Sequence, residues 1–291
     1  MRFVKGHGTG NDFVIIPDPD GELDLTAELV AAVCDRRTGI GADGVLRVVL
    51  TAAEPSAAAH AGAARWFMDY RNADGSIAEM CGNGLRVFGR YLVDAGYERA
   101  GVVPIVTRAG LRRADVPAEG DVTVEMGPPA IGPASAVPVT VAGRAFAATS
   151  VSMGNPHAVC FADDLDEAGL AALDLSRLPE VPADAFPTGA NVEIVIGAPD
   201  RVAMRVHERG IGETLSCGTG ACAVAVAAAS RAGRGPGVVV PVDLPGGRVT
   251  VLWDAADQVR LRGPAVLVSD GLLRPDWLAA ARRREPALAG G

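Results

Sequence analysis

The chain has 291 residues, of which 49% are hydrophobic and 21% are charged, and its formal net charge is −8. The length favours two domains, and the composition is that of an ordinary globular protein. The acidic balance supplies no basic stripe for phosphates, so no nucleic-acid partner is expected. The longest apolar run, residues 221–229, is half as long as a membrane span, so no membrane association is expected.

The N-terminus and the cysteines predict a cytoplasmic protein. The opening MRFVKGHGTG lacks the apolar core of a signal peptide. The five cysteines are an odd number without CxxC spacing, which favours free thiols over a disulfide framework or a zinc ribbon. No metal is expected.

Hydrophobic periodicity predicts strands and helices that alternate along the chain. Strands are predicted at residues 11–16, 44–50, 65–70, 102–107, 121–126, 137–142, 192–196, 201–207, 237–242, 248–253 and 258–262. Helices are predicted at residues 26–34, 83–95, 167–173, 218–231 and 275–284. Residues 52–64 show no periodicity and are predicted to be a loop, and the tail RRREPALAGG (282–291) is predicted to be disordered.

The two halves of the chain match each other at four places. Two matches share an offset of 136 residues: Cys81-Gly82-Asn83-Gly84 with Cys217-Gly218-Thr219-Gly220, and Gly127-Pro128 with Gly263-Pro264. Two earlier matches have offsets of 144 and 148: Gly10-Asn11 with Gly154-Asn155, and Gly41-Ala42-Asp43 with Gly189-Ala190-Asn191. Chance similarity among glycine-rich turns is the alternative. Several matches in one order favour a duplicated α/β domain, joined in the Pro- and Gly-rich stretch at residues 127–135.

Each matched cysteine, Cys81 or Cys217, stands immediately before the glycine-rich start of a predicted helix. Glycine leaves the first-turn amides unshielded, and the helix N-terminus carries partial positive charge. Both effects are expected to lower the pKa of the thiol and to form a seat for a carboxylate. One such cysteine suits a nucleophile, a redox thiol or a core thiol. Two at equivalent places suggest a cleft in which both helices point at one ligand.

A pair of thiols on either side of one carbon suits stereoinversion. A thiolate removes a proton from one face, and the opposite thiol delivers another proton to the other face. The α-proton of an amino acid is very weakly acidic, and the resulting carbanion is usually stabilised by pyridoxal phosphate on a Schiff-base lysine. Lys5 is the only lysine and stands at the chain start. Cofactor-free proton transfer is therefore expected, with two helix N-termini holding the carboxylate.

Six stretches across nearly the whole chain resemble the diaminopimelate epimerases. These are pyridoxal-independent enzymes that interconvert LL- and meso-diaminopimelate in lysine and cell-wall biosynthesis. The stretches follow the family's order and are GTGNDFV (8–14), RRTGIGADG (36–44), RNADGSIAEMCGNGLR (71–86), MGNPHAV (153–159), TGANVE (188–193) and HERGIGETLSCGTGACA (207–223). Gly44 departs from the pattern, because some members carry there a glutamine that reaches the ligand. That contact would be absent here or made by water.

The resemblance implies a role for each residue of the site. Cys81 and Cys217 would be the acid/base thiols, Glu208 would hold the reacting ammonium, and His157 would lie near the thiols and tune them. Backbone amides would bind the reacting carboxylate: those of Gly82, Asn83, Gly218 and Thr219. Five side chains would recognise the distal amino-acid end: those of Asn11, Asn72, Asn155, Asn191 and Arg209.

The cysteines also have a plainer interpretation. Cys81 and Cys217 could be buried structural thiols, as lone cysteines commonly are, although the duplicated motif favours the catalytic role. The other three, Cys34, Cys160 and Cys222, are expected to be core thiols.

Three further residues keep an alternative interpretation. Asn72 in NADG suits a turn. Arg209 beside Glu208 could be a surface ion pair rather than a clamp for a carboxylate. His157 could be a hydrogen-bonded core histidine.

Two other functions are possible on this sequence. One is a related enzyme, either a proline racemase or a phenazine-pathway isomerase. Proline has no distal amino-acid end for Arg209 and the asparagines to bind, and phenazine-type isomerases lack the paired cysteines. The other is an amino-acid-binding or thiol-redox protein. A redox protein normally keeps its two cysteines close in sequence, and a binding protein needs no second thiol. Exchange of the substrate α-proton with solvent separates these functions.

The expected fold is α/β, with two pseudo-symmetric domains that each wrap a mixed sheet around a central helix, and with the active site in the cleft between them. The expected domains are residues 1–130 and 131–264, with residues 265–291 packing back onto the first, as the resemblance implies. Residues 218–229, apolar all round, must form a buried helix. The expected partner is a small-molecule substrate, no cofactor is expected, and a homodimer is left open.

Overall fold

A computed structural model describes residues 1–133 and 136–283 of the chain, which divides into two compact units. Unit 1 consists of Met1–Gly8, Asp12–Val122 and the chain from Ala265 on. Unit 2 consists of Thr9–Asn11 and Thr123–Pro264. Most of the tail predicted to be disordered, and two residues of the predicted join, lie outside the described residues.

Unit 1 is a mixed sheet with three α-helices. Its elements in chain order are β1 (Arg2–Gly8), β2 (Asn11–Pro17), α1 (Ala27–Cys34), β3 (Gly44–Leu50), β4 (Trp66–Asn72), α2 (Gly82–Asp94), β5 (Gly101–Thr107), β6 (Gly110–Val116), β18 (Val266–Leu272) and α5 (Pro275–Ala281). Strand β1 pairs with β2 and, antiparallel, with β18. Strand β2 pairs with β3 in parallel, and β3 pairs with β4 antiparallel. Strand β4 pairs with β5 in parallel, and β5 pairs with β6 antiparallel.

Unit 2 is a second mixed sheet with two helices. Its elements are β7 (Val122–Gly127), β8 (Ala130–Ile131), β9 (Val137–Val141), β10 (Arg144–Ser152), β11 (Pro156–Phe161), α3 (Glu167–Ala172), β12 (Asn191–Ala198), β13 (Arg201–Glu208), β14 (Gly212–Thr214), α4 (Gly218–Arg231), β15 (Val238–Leu244), β16 (Gly247–Trp253) and β17 (Val259–Gly263). Strand β11 pairs with β12 in parallel, and β12 pairs with β13 antiparallel. Strand β13 pairs with β15 in parallel, and β15 pairs with β16 antiparallel.

The two units repeat one order of elements and one pattern of strand pairing. Helix α1 corresponds to α3, and α2 corresponds to α4. Matched glycines also share their backbone conformation: φ is +80° at Gly10 and +94° at Gly154, and it is +78° at Gly41 and +75° at Gly189. Glycine adopts this left-handed region without steric cost. The duplication predicted from the sequence is confirmed.

The central helix of each unit is buried. In α4, every residue from Ala221 to Ala229 is buried, and the helix contacts strands β10–β13 and β15–β17. Its small side chains let strands approach from several sides. In α2, large apolar side chains such as Leu85 and Phe88 are fully buried, and the helix contacts β1, β3, β4, β6 and β18. The central position predicted for helix 218–229 is confirmed.

The chain from Ala265 contributes to unit 1. Strand β18 lies antiparallel to β1, and α5 contacts α1. Leu273 and Ala281 are buried in the apolar cluster of α1, β2 and β3, and Trp277 and Leu278 pack against that cluster.

All five predicted helices are confirmed to within two or three residues at either end. The predicted loop 52–64 is wrong in one detail, because Ala58–His60 forms a short 3₁₀ helix. Seven strands were not predicted: β1, β6, β8, β10, β11, β14 and β18. Several are rich in glycine, charge or small polar residues, and pairing with a neighbouring strand overrides such weak propensity. No helix within residues 1–133 and 136–283 is both long and apolar enough to cross a membrane.

Candidate active site

Cys81 caps the N-terminus of α2. Its backbone is extended (φ −138°, ψ 121°), and its Sγ accepts a hydrogen bond from the backbone N–H of Gly84 at 3.4 Å. An N-cap residue normally offers a side-chain oxygen to these amides, so here sulfur takes the place of oxygen. Gly82 and Asn83 occupy the first two helical positions, where the N–H groups have no acceptor within the helix.

Cys217 caps α4 with the same geometry. Its backbone is extended (φ −115°, ψ 115°), and its Sγ accepts from the N–H of Gly220 at 3.3 Å. Gly218 and Thr219 follow as the first two helical residues, and Thr219 Oγ1 lies 3.5 Å from the sulfur. Both thiols therefore stand at helix starts, as the sequence predicts.

The pKa of the Cys217 thiol is raised well above its ordinary value, first by burial and then by the carboxylates of Glu208 and Glu193. Hydrogen bonds from Thr219 and from the Gly220 amide lower this pKa by less. The amide at the helix start lowers the pKa as predicted, but burial and the two carboxylates outweigh it, so the expectation of a lowered thiol pKa is wrong for Cys217. A buried thiol beside two carboxylates keeps its proton at neutral pH.

Glu208 ends β13 beside this thiol. Its carboxylate accepts a hydrogen bond from the Thr214 hydroxyl. Burial raises the pKa of Glu208, and the neighbouring Thr214 hydroxyl and Cys217 thiol lower it by less. A partly desolvated carboxylate near the Cys217 sulfur is suited to hold a cation such as an ammonium group.

His157, on β11, is fully buried and is hydrogen-bonded at both ring nitrogens. Nδ1 lies 2.7 Å from Glu193 Oε1, and Nε2 lies 3.0 Å from Asn155 Oδ1. Asn155 Nδ2 in turn donates to Thr219 Oγ1 at 3.3 Å. His157 is thus connected to Cys217 through the side chains of Asn155 and Thr219.

Glu193 is a residue of this site that the sequence analysis did not single out. It lies on β12 with no exposed surface, between the buried side chains of Val192 and Ile194. A charge within a strand buried on both faces is costly unless it is paired. An acidic residue inside the otherwise apolar run NVEIVI was the signal that could have identified it.

Asn191 and Arg209 lie together at one end of β12 and β13. Asn191 Nδ2 donates to the Pro156 carbonyl at 3.0 Å, and its Oδ1 accepts from the backbone N–H of Arg209 at 3.0 Å. The Arg209 side chain is exposed, and its Nη1 donates to the Thr188 carbonyl at 3.1 Å and to Thr188 Oγ1 at 2.9 Å. Asn191 therefore fixes the backbone from which the Arg209 guanidinium extends.

Asn72, in unit 1, forms a tight turn. Its N–H donates to the Ser76 carbonyl at 2.9 Å, and its Nδ2 donates to Ser76 Oγ at 3.0 Å. Gly75 has φ +86°, and a Cβ there would lie 2.5 Å from the backbone of Ala27. These bonds support the turn interpretation of Asn72.

Two further predicted residues lie in different units. Asn83 is fully buried at the start of α2, in unit 1. Asn11 belongs to unit 2 together with Thr9, whose Oγ1 lies 2.7 Å from Ser216 Oγ, immediately before Cys217. Residues Thr9–Asn11 are therefore grouped with the unit whose loop leads into α4.

Lys5, the only lysine, is part of an ion-pair cluster in unit 1. Its Nζ donates to Asp12 Oδ2 at 2.6 Å and to the Gly41 carbonyl. Arg36 holds the same carboxylate at 2.8 Å. Burial raises the pKa of Asp12, but the hydrogen bonds from Arg36 and Lys5 outweigh it and bring that pKa down to about 2. Lys5 therefore joins the two motifs GTGND and RRTGIGADG.

Cys34, Cys160 and Cys222 are buried, as predicted for core thiols. Burial raises the pKa of both Cys34 and Cys160 to about 12. Within the part of the chain that the structure describes, no three His, Cys, Asp or Glu side chains are grouped so that they could hold a metal ion.

Solved structures share this two-unit fold. A PhzF-family phenazine biosynthesis protein from Bacillus anthracis superposes with a TM-score of 0.69 at 16% identity, over 94% of this chain and 99% of that one. A hydroxyproline epimerase from Agrobacterium vitis superposes with a TM-score of 0.65 at 18% identity, over 97% and 98% of the two chains. The fold is thus the pseudo-symmetric α/β fold of this group of proteins.

The sequence comparisons are more specific. The model of the diaminopimelate epimerase family matches residues 3–131 and 149–268. A diaminopimelate epimerase of Streptomyces coelicolor is 53% identical over 285 residues, which cover 96% of this chain and 97% of that protein. One from Thermobifida fusca is 52% identical over 94% of this chain and 98% of its own length. The chain belongs to the diaminopimelate epimerase family.

Proposed function

We propose that this chain interconverts LL- and meso-diaminopimelate by proton transfer between two thiols, in the supply of lysine and peptidoglycan precursors. The observation that carries the proposal is that Cys81 and Cys217 cap the central helices of two duplicated units with matching geometry, in a chain of this family. Stereoinversion needs a base on one face of the α-carbon and an acid on the other, each within about 3–3.5 Å. The partner is the small-molecule substrate in the cytoplasm, without nucleic acid or membrane.

The raised pKa of Cys217 sets the roles of the two thiols. In one direction the Cys81 thiolate removes the α-proton, and Cys217 delivers its own proton to the opposite face. One C–H bond breaks and another forms; Cys81 now carries the proton taken from the substrate, and Cys217 is left as the thiolate. In the reverse direction the roles exchange. First-turn amides stabilise the carboxylate as charge develops on it, and they belong to Gly82, Asn83, Gly218 and Thr219.

Glu208 would bind the ammonium group of the reacting centre. Its carboxylate is the first charged group that raises the pKa of Cys217. A bound ammonium offsets that negative charge, so the Cys217 thiolate becomes less costly once substrate is in place. The same contact allows Cys217 to serve as an acid in one direction and as a base in the other.

The distal amino-acid end would be held by side chains away from the thiols. The Arg209 guanidinium can grip a carboxylate in two-pronged geometry, and Asn191 holds its backbone. Asn155 is fixed between His157 and Thr219. Asn11 and Asn72 complete the proposed set of contacts.

The test is proton NMR of LL-diaminopimelate with pure protein in heavy water and no added cofactor. Early product should carry deuterium at the inverted carbon while remaining substrate stays largely protonated. Cys81→Ala and Cys217→Ala should each lower kcat by at least about 100-fold, the contribution of a positioned acid or base. Cys160→Ala, at a buried cysteine of unit 2, is the control and should retain activity. Activity that requires pyridoxal phosphate, or that survives both substitutions, would contradict the proposal.

A further inference from the structure

Glu193 is a buried carboxylate with an unusual set of partners. It has no exposed surface, its Oε1 lies 2.7 Å from His157 Nδ1, and its Oε2 has no hydrogen-bond partner among the described residues. A Cβ on Gly220 would lie 2.7 Å from Oε1, so only glycine at that position admits the carboxylate at the start of α4. The positive end of the helix favours a negative charge there.

The duplicated unit provides an internal comparison. His157 pairs in register with Asn191 in the β11–β12 ladder, and Phe13 pairs with Gly44 in the equivalent β2–β3 ladder. Two residues further along β12 and β3 are Glu193 and Leu46. The strand register differs by one residue from the loop match of Asp43 with Asn191, and it places Phe13 and Leu46 of unit 1 at the positions of His157 and Glu193.

The apolar pair packs in the same place. A Cβ on Gly84, the counterpart of Gly220, would meet Leu46 Cδ2 at 3.3 Å and Phe13 Cζ at 3.5 Å. The fold of a unit is therefore compatible with an apolar pair at these positions. A buried charge costs free energy that apolar packing does not. The polar pair in unit 2 consequently calls for an explanation other than folding.

Proton positions in unit 2 follow from the partners of His157. Its two ring nitrogens face two oxygen atoms, Glu193 Oε1 and Asn155 Oδ1. The amide oxygen can only accept, so Nε2 carries a proton. The proton between Nδ1 and Glu193 belongs to either atom, and in both forms the pair is neutral overall and Nε2 is a donor.

This donor sets the direction of the next hydrogen bonds. With Oδ1 occupied by His157, the Asn155 amide presents Nδ2 to Thr219 Oγ1 at 3.3 Å. Thr219 accepts that bond, so its own hydroxyl hydrogen is available to the Cys217 sulfur at 3.5 Å. Each hydrogen bond from His157 Nε2 to the Cys217 sulfur therefore has a defined donor.

We propose that Glu193 is a positioning residue for the proton transfer at Cys217. It holds His157 with Nε2 protonated, and through Asn155 this turns the Thr219 hydroxyl toward the sulfur, where it stabilises the thiolate formed in each cycle. The inference rests on the proposed function for the acid/base role of Cys217. The arrangement of protons is independent of that role.

The first test reads the protons directly. The four histidines of the protein are labelled with ¹⁵N and observed by NMR. The signals of His157 are identified by their loss in His157→Phe. At neutral pH the Nε2 of His157 should appear as a protonated nitrogen. An unprotonated Nε2 would overturn the proposal whether or not the protein is an epimerase.

The second test replaces the polar pair of unit 2 with the apolar pair found in unit 1. The double variant His157→Phe/Glu193→Leu should fold, because Phe13 and Leu46 pack at the same positions in the other unit. Its kcat should fall about 10- to 100-fold, as expected for a displaced catalytic group, while KM changes little. Glu193→Gln keeps a hydrogen-bonding partner for His157 Nδ1, so it should lower kcat by less than Glu193→Leu does. Glu54→Gln, at an ion-paired glutamate of unit 1, is the matched control.

The third test asks whether Glu193 acts through Thr219. Thr219→Val removes the hydroxyl and keeps the backbone amide, and it should lower kcat in the wild-type background. In the Glu193→Leu background it should add little, because the hydroxyl is no longer directed to the sulfur. Fully additive losses, or a folded Glu193→Leu protein with wild-type kcat, would overturn the proposal. Absence of epimerisation by the wild-type protein would instead contradict the proposed function.

Discussion

The two thiols have matching caps but different surroundings. Each sulfur accepts one first-turn amide, at 3.4 Å for Cys81 and 3.3 Å for Cys217. Only in unit 2 are the two side chains next to the helix start polar, because Phe13 and Leu46 fill in unit 1 the place of His157 and Glu193. The two units therefore have equivalent helix starts, and the side chains around Cys217 raise the pKa of its thiol.

The charge of Glu208 gives a prediction for Cys217. Glu208→Gln removes the first of the two carboxylates that raise the pKa of this thiol, so the pKa should fall. Because only the thiolate reacts with iodoacetamide, alkylation of Cys217 at pH 8 should become faster, tenfold for each unit by which the pKa falls. The rate is measured by mass spectrometry of the Cys217 peptide.

A matched control is Glu213→Gln, at a glutamate that is ion-paired with Arg205 in the same unit. It is not among the groups that raise the pKa of Cys217, so the alkylation rate should stay at the wild-type value. Equal or slower alkylation in Glu208→Gln would show that the carboxylate does not govern this thiol.

At the scale of elements, the helices were predictable and many strands were not. Helix α4 is an uninterrupted run of small apolar residues, which has no stable exposed arrangement, so burial followed from the sequence alone. Strand β18 has mostly exposed side chains, and its sequence VLVSDGL contains glycine and charge. It exists because β1 pairs with it, and a partner far away in the chain leaves no local signal.

The return of the chain to unit 1 predicts a role for Trp277 in stability. Its ring packs against the apolar cluster of α1, β2 and β3, and its Nε1 donates to the Thr38 carbonyl at 3.1 Å. Trp277→Ala should lower the free energy of unfolding by about 1–3 kcal/mol, because the buried part of the ring is lost. Urea unfolding measures the change.

Trp277→Phe separates packing from the hydrogen bond. It keeps an aromatic ring and removes the donor, so it should cost only about 0.5–1.5 kcal/mol. If Trp277→Ala were as stable as the wild type, α5 would contribute nothing to unit 1 and the packing described for it would be contradicted.

At the scale of the whole molecule, the sequence revealed the duplication through its turns and caps. Glycines with positive φ recur in the same order in both halves because the backbone requires them at both places, and a cysteine precedes the central helix of each half. The specialisation of unit 2 was harder to recognise. His157 was named as a residue that tunes the thiols, but its partner Glu193 is 36 positions away in the chain. Only the parallel pairing of β11 with β12 brings the two side chains together.

The buried thiols predict how the stability of the whole chain depends on alkaline pH. The pKa is raised to about 12 at Cys34 in unit 1 and at Cys160 in unit 2, in both by burial first. An unfolded chain has thiols with a pKa near 8.5, so above this pH the unfolded state releases protons that the folded state retains. Folding stability is therefore complete below about pH 8.5 and falls as the pH rises toward the folded pKa, by at most about 1.4 kcal/mol per thiol and pH unit. Urea unfolding at pH 8 and pH 10 should show this loss, and Cys160→Ala should show a smaller one. An equal loss in the variant and the wild type would mean that the Cys160 thiolate is tolerated inside the folded protein.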